Sequence, residues 1–491
     1  MGTSAKIIFF AFLQFVLSSV YTHSLSAQLV SDFRVNDDTT SSSQLVGKVG
    51  IDSSGNYVMV WQDQRYIAPT VFVQRFNFLN QPQGENFKVN PNTDTSHTPC
   101  INVNDNGNFE IAWTDRGKIV TRMFDNKGVP KTGIVLVSES NYSNTIPKID
   151  SDRNRNFIIA WENYLPSFGE SIFFQRFTFA GNKLGSNQNV SDVGVNSRKS
   201  NPSITVRQDG SFIICWQDNR LEPSTYDIFM QMYDSSGNKI GNNVRVNEVT
   251  SDTQDYPKIC SDTSGNFVVA WDDFRFSPNV ISVCQFYDHS GQKIGNNLLI
   301  AQNTVVPIFS SRDNGDIAAG IYAGSSPAMQ RIKSDRTLWG SSFIISNQAL
   351  SSTKYITDIQ IYKDRVVNVW QDNRNGNFDI YCNIRSYNNP DTIVSVNQIS
   401  AVIPRNCRLF QNYPNPFNPV TKIPFQVNKA SHVEIKVYDN LGREIRSLLS
   451  KKLQPGIYET EFDSKDLYSG VYYYKMISEN FYESKRMIIV K

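Results

Sequence analysis

The chain has 491 residues, with 48 Lys and Arg against 46 Asp and Glu, for a net charge of +2. Acids and bases are interspersed without a basic run, which leaves nucleic acid and anionic membrane surfaces unsupported as partners. Aromatic residues at 12% and charged residues at 19% fit an exported all-β protein with a substantial core.

Residues 1–26 read as a secretory signal peptide. Lys6 supplies the positive end, residues 7–20 the apolar stretch, and Ser24-Leu25-Ser26 a small-x-small cleavage site ending at Ser26. An apolar run of about 14 residues is too short to span a bilayer, so no transmembrane anchor is expected after processing.

From residue 52 onward one pattern recurs. It is an Asp-x-x-Gly-Asn turn, an apolar strand ending in Trp, and then Asp-x-Arg. Residues 262–275 carry it in full around Trp271, and copies surround Trp61, Trp113, Trp161, Trp216 and Trp370. Successive tryptophans of the pattern are 52, 48, 55, 55 and 99 residues apart. The last gap is two periods, and its midpoint holds a worn copy, residues 312–321, ending at Ile321. A period of about 50 residues marks a propeller or a solenoid.

Each period resolves into four short strands. In the fifth they are residues 257–261, 265–272, 280–287 and 297–301, joined by turns at residues 262–265 and 288–291. Asp accepts local backbone hydrogen bonds and Gly takes positive φ, so these turns make hairpins. Third strands such as residues 172–177 and 228–233 alternate with period two. The expectation is an all-β chain: a seven-bladed β-propeller over residues 27–400, then a small immunoglobulin-like β-sandwich over residues 401–491. The blades centre on Trp61, Trp113, Trp161, Trp216, Trp271, Ile321 and Trp370. Fourth-strand motifs recur in every period, and an eighth, residues 33–36, precedes the first. Either residues 33–36 or residues 394–397 fill the closing slot, which would remove exposed edges.

The six cysteines form no Cys-x-x-Cys pair, so a zinc ribbon or redox motif is unsupported. Cys215, just before Trp216, reads as a small buried residue. Cys260 and Cys284 fall on next-but-one strands, about 9–10 Å apart and beyond disulfide reach. His97, His289 and His432 show no metal-ligand spacing, and no cofactor or metal is expected. The Asp313-Asn-Gly-Asp316 segment is the repeat's own hairpin turn and lacks the ligand set of a calcium loop.

Asp63/Arg65, Asp218/Arg220, Asp273/Arg275 and Asp372/Arg374 repeat the Asp-x-Arg pair. A ring of such pairs could hold an anionic sugar. A feature repeated in most blades is more simply scaffold, each pair tying its turn to the next blade. Breaks in the repeat are the better place for a site. Residues 164–170, 221–226 and 322–327 place exposed aromatics beside carboxylates. Tyr164, Glu170, Tyr226 and Tyr322 are the candidate ligand-binding residues for a sugar ring or a peptide. No catalytic residue is singled out.

The tail opens on Gln411-Asn-Tyr-Pro-Asn-Pro-Phe-Asn-Pro419, where prolines forbid helix and central strand. Strand-like runs follow over residues 421–427, 432–438, 456–462, 470–478 and 481–490, a sandwich-like series. The opening motif, residues 437–444, Gly456-Ile-Tyr458, Gly470-Val-Tyr472 and the close from Lys485 to the terminal Lys491 resemble the type A C-terminal sorting domain of type IX secretion cargo. The resemblance covers about residues 407–491. It implies a protein of a Bacteroidota-like bacterium, passed across the outer membrane by the secretion machinery and secreted or held on the cell surface.

The combined expectation is a secreted or surface-attached propeller that binds an extracellular carbohydrate or protein. The alternative is a sialidase-like glycoside hydrolase or a polysaccharide lyase. Against it, Gly stands six residues before Trp, as in Gly55 and Trp61, which is not Asp-box spacing. A purely structural surface protein is the third option.

Overall fold

The computed structural model describes residues 30–90, 95–139, 143–165, 169–191, 197–249, 251–303, 308–346, 352–388, 397–400, 404, 406–464, 467–479 and 481–491. Ser26 and the leader lie outside the described residues. The described chain is all-β.

Up to residue 388 the described residues form seven four-stranded antiparallel sheets. The first runs Gln44–Ile51, Tyr57–Asp63, Thr70–Phe76 and Phe87–Lys88. Its first turn forms for a local reason: Asp52 Oδ1 accepts the Ser54 and Asn56 N–H groups, each at 2.8 Å, while Gly55 takes a φ of 82°. Asn56 Oδ1 then accepts the Phe78 N–H at 2.9 Å, holding the second hairpin turn against the first.

The inner strands begin at Gln44, Ser96, Asn144, Lys199, Gln254, Ile308 and Lys354. Each packs on the next, and Lys354–Tyr362 returns to Gln44–Ile51. The result is a propeller-like ring of sheets. Val30–Arg34 pairs with Asp379–Ser386 as the outermost strand of the seventh sheet. Of the two candidates for the closing slot, the N-terminal one takes it. Asn397–Ser400 instead pairs with Gly456–Asp463 in the tail. These residues cover what would otherwise be a bare strand edge of the tail.

The core lies between sheets. One cluster joins Val58, Val60 and Val73 of the first sheet to Phe109, Ile111 and Trp113 of the second. Strands buried on both faces read as continuous apolar runs, which is why the Trp strands do not alternate. All six repeat tryptophans are essentially inaccessible.

The Asp-x-Arg pairs are scaffold, but they do not tie to the next sheet as expected. Trp216 Nε1 donates to Asp218 Oδ2 at 3.1 Å, and Arg220 forks onto the same carboxylate with Nε at 2.8 Å. The Arg220 guanidinium then covers the Phe229 ring at 4.3 Å. Trp61, Asp63, Arg65 and Phe72 repeat the arrangement, as do Trp370, Asp372, Arg374 and Tyr381. A planar fork two residues beyond the acid reaches back to it more readily than across to another sheet. The third sheet lacks the pair, and there Trp161 Nε1 donates to Asn144 at 3.0 Å.

The tail forms two four-stranded sheets around one core that includes Leu409, Phe425, Val433, Tyr474 and Met476. Its proline-rich lead-in is pinned at Tyr474, whose hydroxyl accepts the Asn412 N–H at 2.7 Å and donates to Phe410 O at 2.9 Å. All six cysteines are free thiols. Cys260 and Cys284 flank the Trp271 strand, in keeping with the expected strand order. Burial pushes the Cys215 thiol up to about 12.

Asp218 is fully buried and carries both Trp216 and Arg220. Asp218→Ala should lower unfolding stability by about 2 kcal/mol, because it strands a half-buried guanidinium and the Trp216 N–H. Glu222→Ala, in an exposed turn, should change it by less than about 0.5 kcal/mol. Equal urea midpoints for the two variants would refute this role.

Candidate functional site

The inner strands start on one face of the ring, and there the repeat builds a mouth. In several sheets the residue after Trp, or its counterpart in the worn copy, accepts an N–H from a bulged inner strand of the next sheet. Gln371 accepts from Val46 at 3.2 Å, Glu162 from Asn201 at 2.5 Å and Gln217 from Tyr256 at 3.0 Å. Val46, Asn201 and Tyr256 hold φ values of 54°, 53° and 54°, a left-handed conformation that non-glycine residues adopt only when their surroundings enforce it.

Tyr322 occupies this same position in the sixth sheet. Its hydroxyl accepts the Ile356 N–H at 2.9 Å, and its ring packs on the core between the sixth and seventh sheets. It is thus placed as an inter-sheet tie, away from the other three candidates.

Those three meet. The strands Phe157–Leu165 and Gly169–Phe177 are two residues longer than the seven-residue strands of the sheets beside them. Without an Asp-x-Arg turn, the ladder continues through Tyr164 opposite Glu170. Tyr164 is half exposed. Tyr226, from the next sheet, sits within the field of Glu170 and Asp255 and bonds the Arg198 side chain; burial pushes its phenol up. Glu170 also faces Glu162.

Glu162 follows Trp161, at the position that Gln62, Gln217 and Gln371 hold in other sheets. Its carboxyl is pushed up by burial, against the pull of the Asn201 N–H, the Thr145 hydroxyl and Lys148. Asp255 lies directly across the ladder from Asp272. Burial pushes Asp255 up to about 6, and its Oδ1 has no hydrogen-bond partner. This mouth therefore combines tyrosine rings, one guanidinium and two carboxyls, Glu162 and Asp255, that burial pushes up.

A polar groove of about 620 Å³ on the opposite face, lined by Asp52, Arg75, Asp105 and Asn126, is made from the repeated hairpin turns. Among the described residues no group of three or more His, Cys, Asp or Glu is placed to hold a metal ion. No described helix is long and apolar enough to cross a membrane.

Residues 411–491 match the family model of the secretion system C-terminal sorting domain. The tail is a type IX sorting domain. It makes the protein a cargo of that machinery, secreted or displayed on the outer cell surface. In the sorting domain, Gly456 is buried opposite Val427, and Tyr458 stacks on Phe425 at 5.6 Å. Gly470 opens the strand whose Tyr472 hydroxyl donates to Tyr468 O at 3.2 Å. Lys485 pairs with Glu483 at 3.1 Å, and the Lys491 N–H donates to Ser469 at 2.9 Å.

No curated protein matches the chain. Among solved structures, the polysaccharide lyase Uly1 is similar at 11% identity and a TM-score of 0.46, over 68% of this chain and 88% of that one. The GH93 α-L-arabinofuranosidase of Fusarium graminearum is similar at 9% identity and a TM-score of 0.44, over 74% and 99%. An endo-arabinase from Bacteroides thetaiotaomicron VPI-5482 reaches 17% identity and a TM-score of 0.33, over 55% and 96%.

The raised Asp255 carboxyl has a signed consequence for stability. Between its ordinary value near ~4 and about 6, the folded state binds the extra proton, so stability falls as pH rises through that window. Asp255→Asn should flatten this slope and stabilise the fold at pH 7, as read from urea midpoints across pH. An unchanged slope would remove Asp255 as its source.

Proposed function

We propose that the exported protein is a seven-bladed β-propeller that binds an extracellular carbohydrate at the mouth built by its third to fifth sheets. In this reading residues 1–26 are the cleaved leader, the ring is the binding module, and the tail is an immunoglobulin-like sandwich that carries it out. The observation that carries the proposal is the pairing of Tyr164 with Glu170, whose charge reaches Tyr226, with Arg198 bonded to Tyr226. Aromatic faces stack on the apolar faces of sugar rings, and carboxylate and guanidinium groups take the hydroxyls.

A second reading has one specific support. Glu162, half-buried and pushed up, lies within the field of Glu170, and two neighbouring carboxyls are what glycoside hydrolysis uses as acid and base. Under that reading Glu162 is the proton donor, and turnover accompanies binding.

The test is a glycan array probed with the full chain, with product formation followed in the same samples. Binding without turnover is expected. Tyr226→Ala and Glu170→Gln should each weaken it at least about tenfold, while Leu79→Ala, on the opposite face, should leave it unchanged. Turnover lost in Glu162→Gln would replace the binding reading with the hydrolase. Silence on every glycan would replace both with a protein partner or a structural surface role.

A further inference from the structure

Below the mouth, the residue opposite the one before each Trp, or its counterpart, forms one level around the ring. In order it is Lys48, Cys100, Lys148, Ser203, Lys258, Ile308 and Asp358, opposite Val60, Ala112, Ala160, Cys215, Ala270, Gly320 and Val369. Lysine thus occupies the first, third and fifth sheets, neutral residues the second, fourth and sixth, and one acid the seventh.

The three lysines act on one another in every pairing, so they converge on a common space. Lys48 Nζ donates to Thr357 O. Lys258 Nζ has only long contacts, 3.3 and 3.5 Å, to the Pro257 and Tyr256 carbonyls. No hydrogen bond joins Lys148 Nζ to another described residue. All three lysines are half-buried, and protein surrounds the ammonium groups of Lys148 and Lys258, the condition of groups lining a narrow channel. The other ionisable groups acting on them are Asp358, Glu162, Asp272, Cys100 and Cys215. Asp358 is already engaged, accepting the Val49 N–H at 2.9 Å.

Crowded ammonium groups drawn from water are unfavourable unless something answers their charge. Burial, and then Lys148 and Lys48, push Lys258 down to about 7. The cluster has two ways to relax: shed a proton, or take in a counter-charge.

We propose that this level of the channel is an oxoanion site, with Lys48, Lys148 and Lys258 converging on one sulfate or carboxylate group. The occupant is either a free inorganic anion or an acidic group carried by a sugar. The site goes beyond the mouth described above and stands without it.

The probe is inorganic sulfate, titrated calorimetrically into the full chain at pH 7.5 against a background of matched ionic strength. The expected result is one site with proton uptake, seen as an enthalpy that varies with the ionisation heat of the buffer, because an anion restores the Lys258 proton. Lys148→Met and Lys258→Met should each weaken sulfate binding at least tenfold. Both should also raise the melting temperature in sulfate-free buffer, since each relieves repulsion. Competition by an oligouronate, absent with its neutral counterpart, would identify the sugar-borne source; lack of competition would identify the free anion. No sulfate site in the wild type, or binding without proton uptake, would overturn the proposal even if neither variant folds.

Discussion

Every sheet of the ring is apolar on both faces, and no sheet can bury both unless it has a neighbour on each side. That constraint governs the rest of the structure. It explains why successive residues leading into a repeat tryptophan, such as Val58, Met59 and Val60, are buried alike, and why the shared cores straddle sheet boundaries. It also explains why the first strand of the ring must travel to the seventh sheet. Val30–Arg34 is short, yet without it the outer edge of Asp379–Ser386 would be bare. The polar ties between sheets follow the same logic: each satisfies a backbone group that apolar packing alone would leave unpaired.

Much of this was legible in the sequence because the turn chemistry is local. Asp52, Gly55 and Asn56 specify their hairpin with atoms only a few bonds away, and the apolar run to Trp61 follows. The sorting domain was legible for a different reason: the motifs at residues 411–419, 437–444, 456–458, 470–472 and 485–491 resemble those of a known family. What stayed hidden depends on distance in space. The partner of Arg220 was misplaced because spacing does not say whether a guanidinium folds back or reaches across. Tyr322 looked like an exposed loop aromatic because its acceptor role needs Ile356 from another sheet.

The lysine level was invisible for the strongest version of that reason. Lys48, Lys148 and Lys258 are each the single lysine of an inner strand, where one lysine reads as a side chain reaching for solvent. Only the ring sets them at one height. Glu162 and Asp255 are similar cases: in a linear reading each is one more acid among many, whereas in the ring each is desolvated. Repetition here supplies the frame, and the chemistry gathers where repetition lapses.

The chain leaves the ring at Tyr387, and this has a mechanical consequence. The last strand, Asp379–Ser386, is bonded on both sides, to Val30–Arg34 and to Arg365–Asp372. Just beyond it, the Tyr387 hydroxyl donates at 3.0 Å to both Ile317 O and Ile332 O of the sixth sheet. A pull transmitted from the tail therefore enters at a strand clamped along both edges and spreads at once into a second sheet. For a protein displayed outside a cell, where flow and binding partners tug on the tether, that geometry resists shear along a ladder instead of peeling one strand from an open edge.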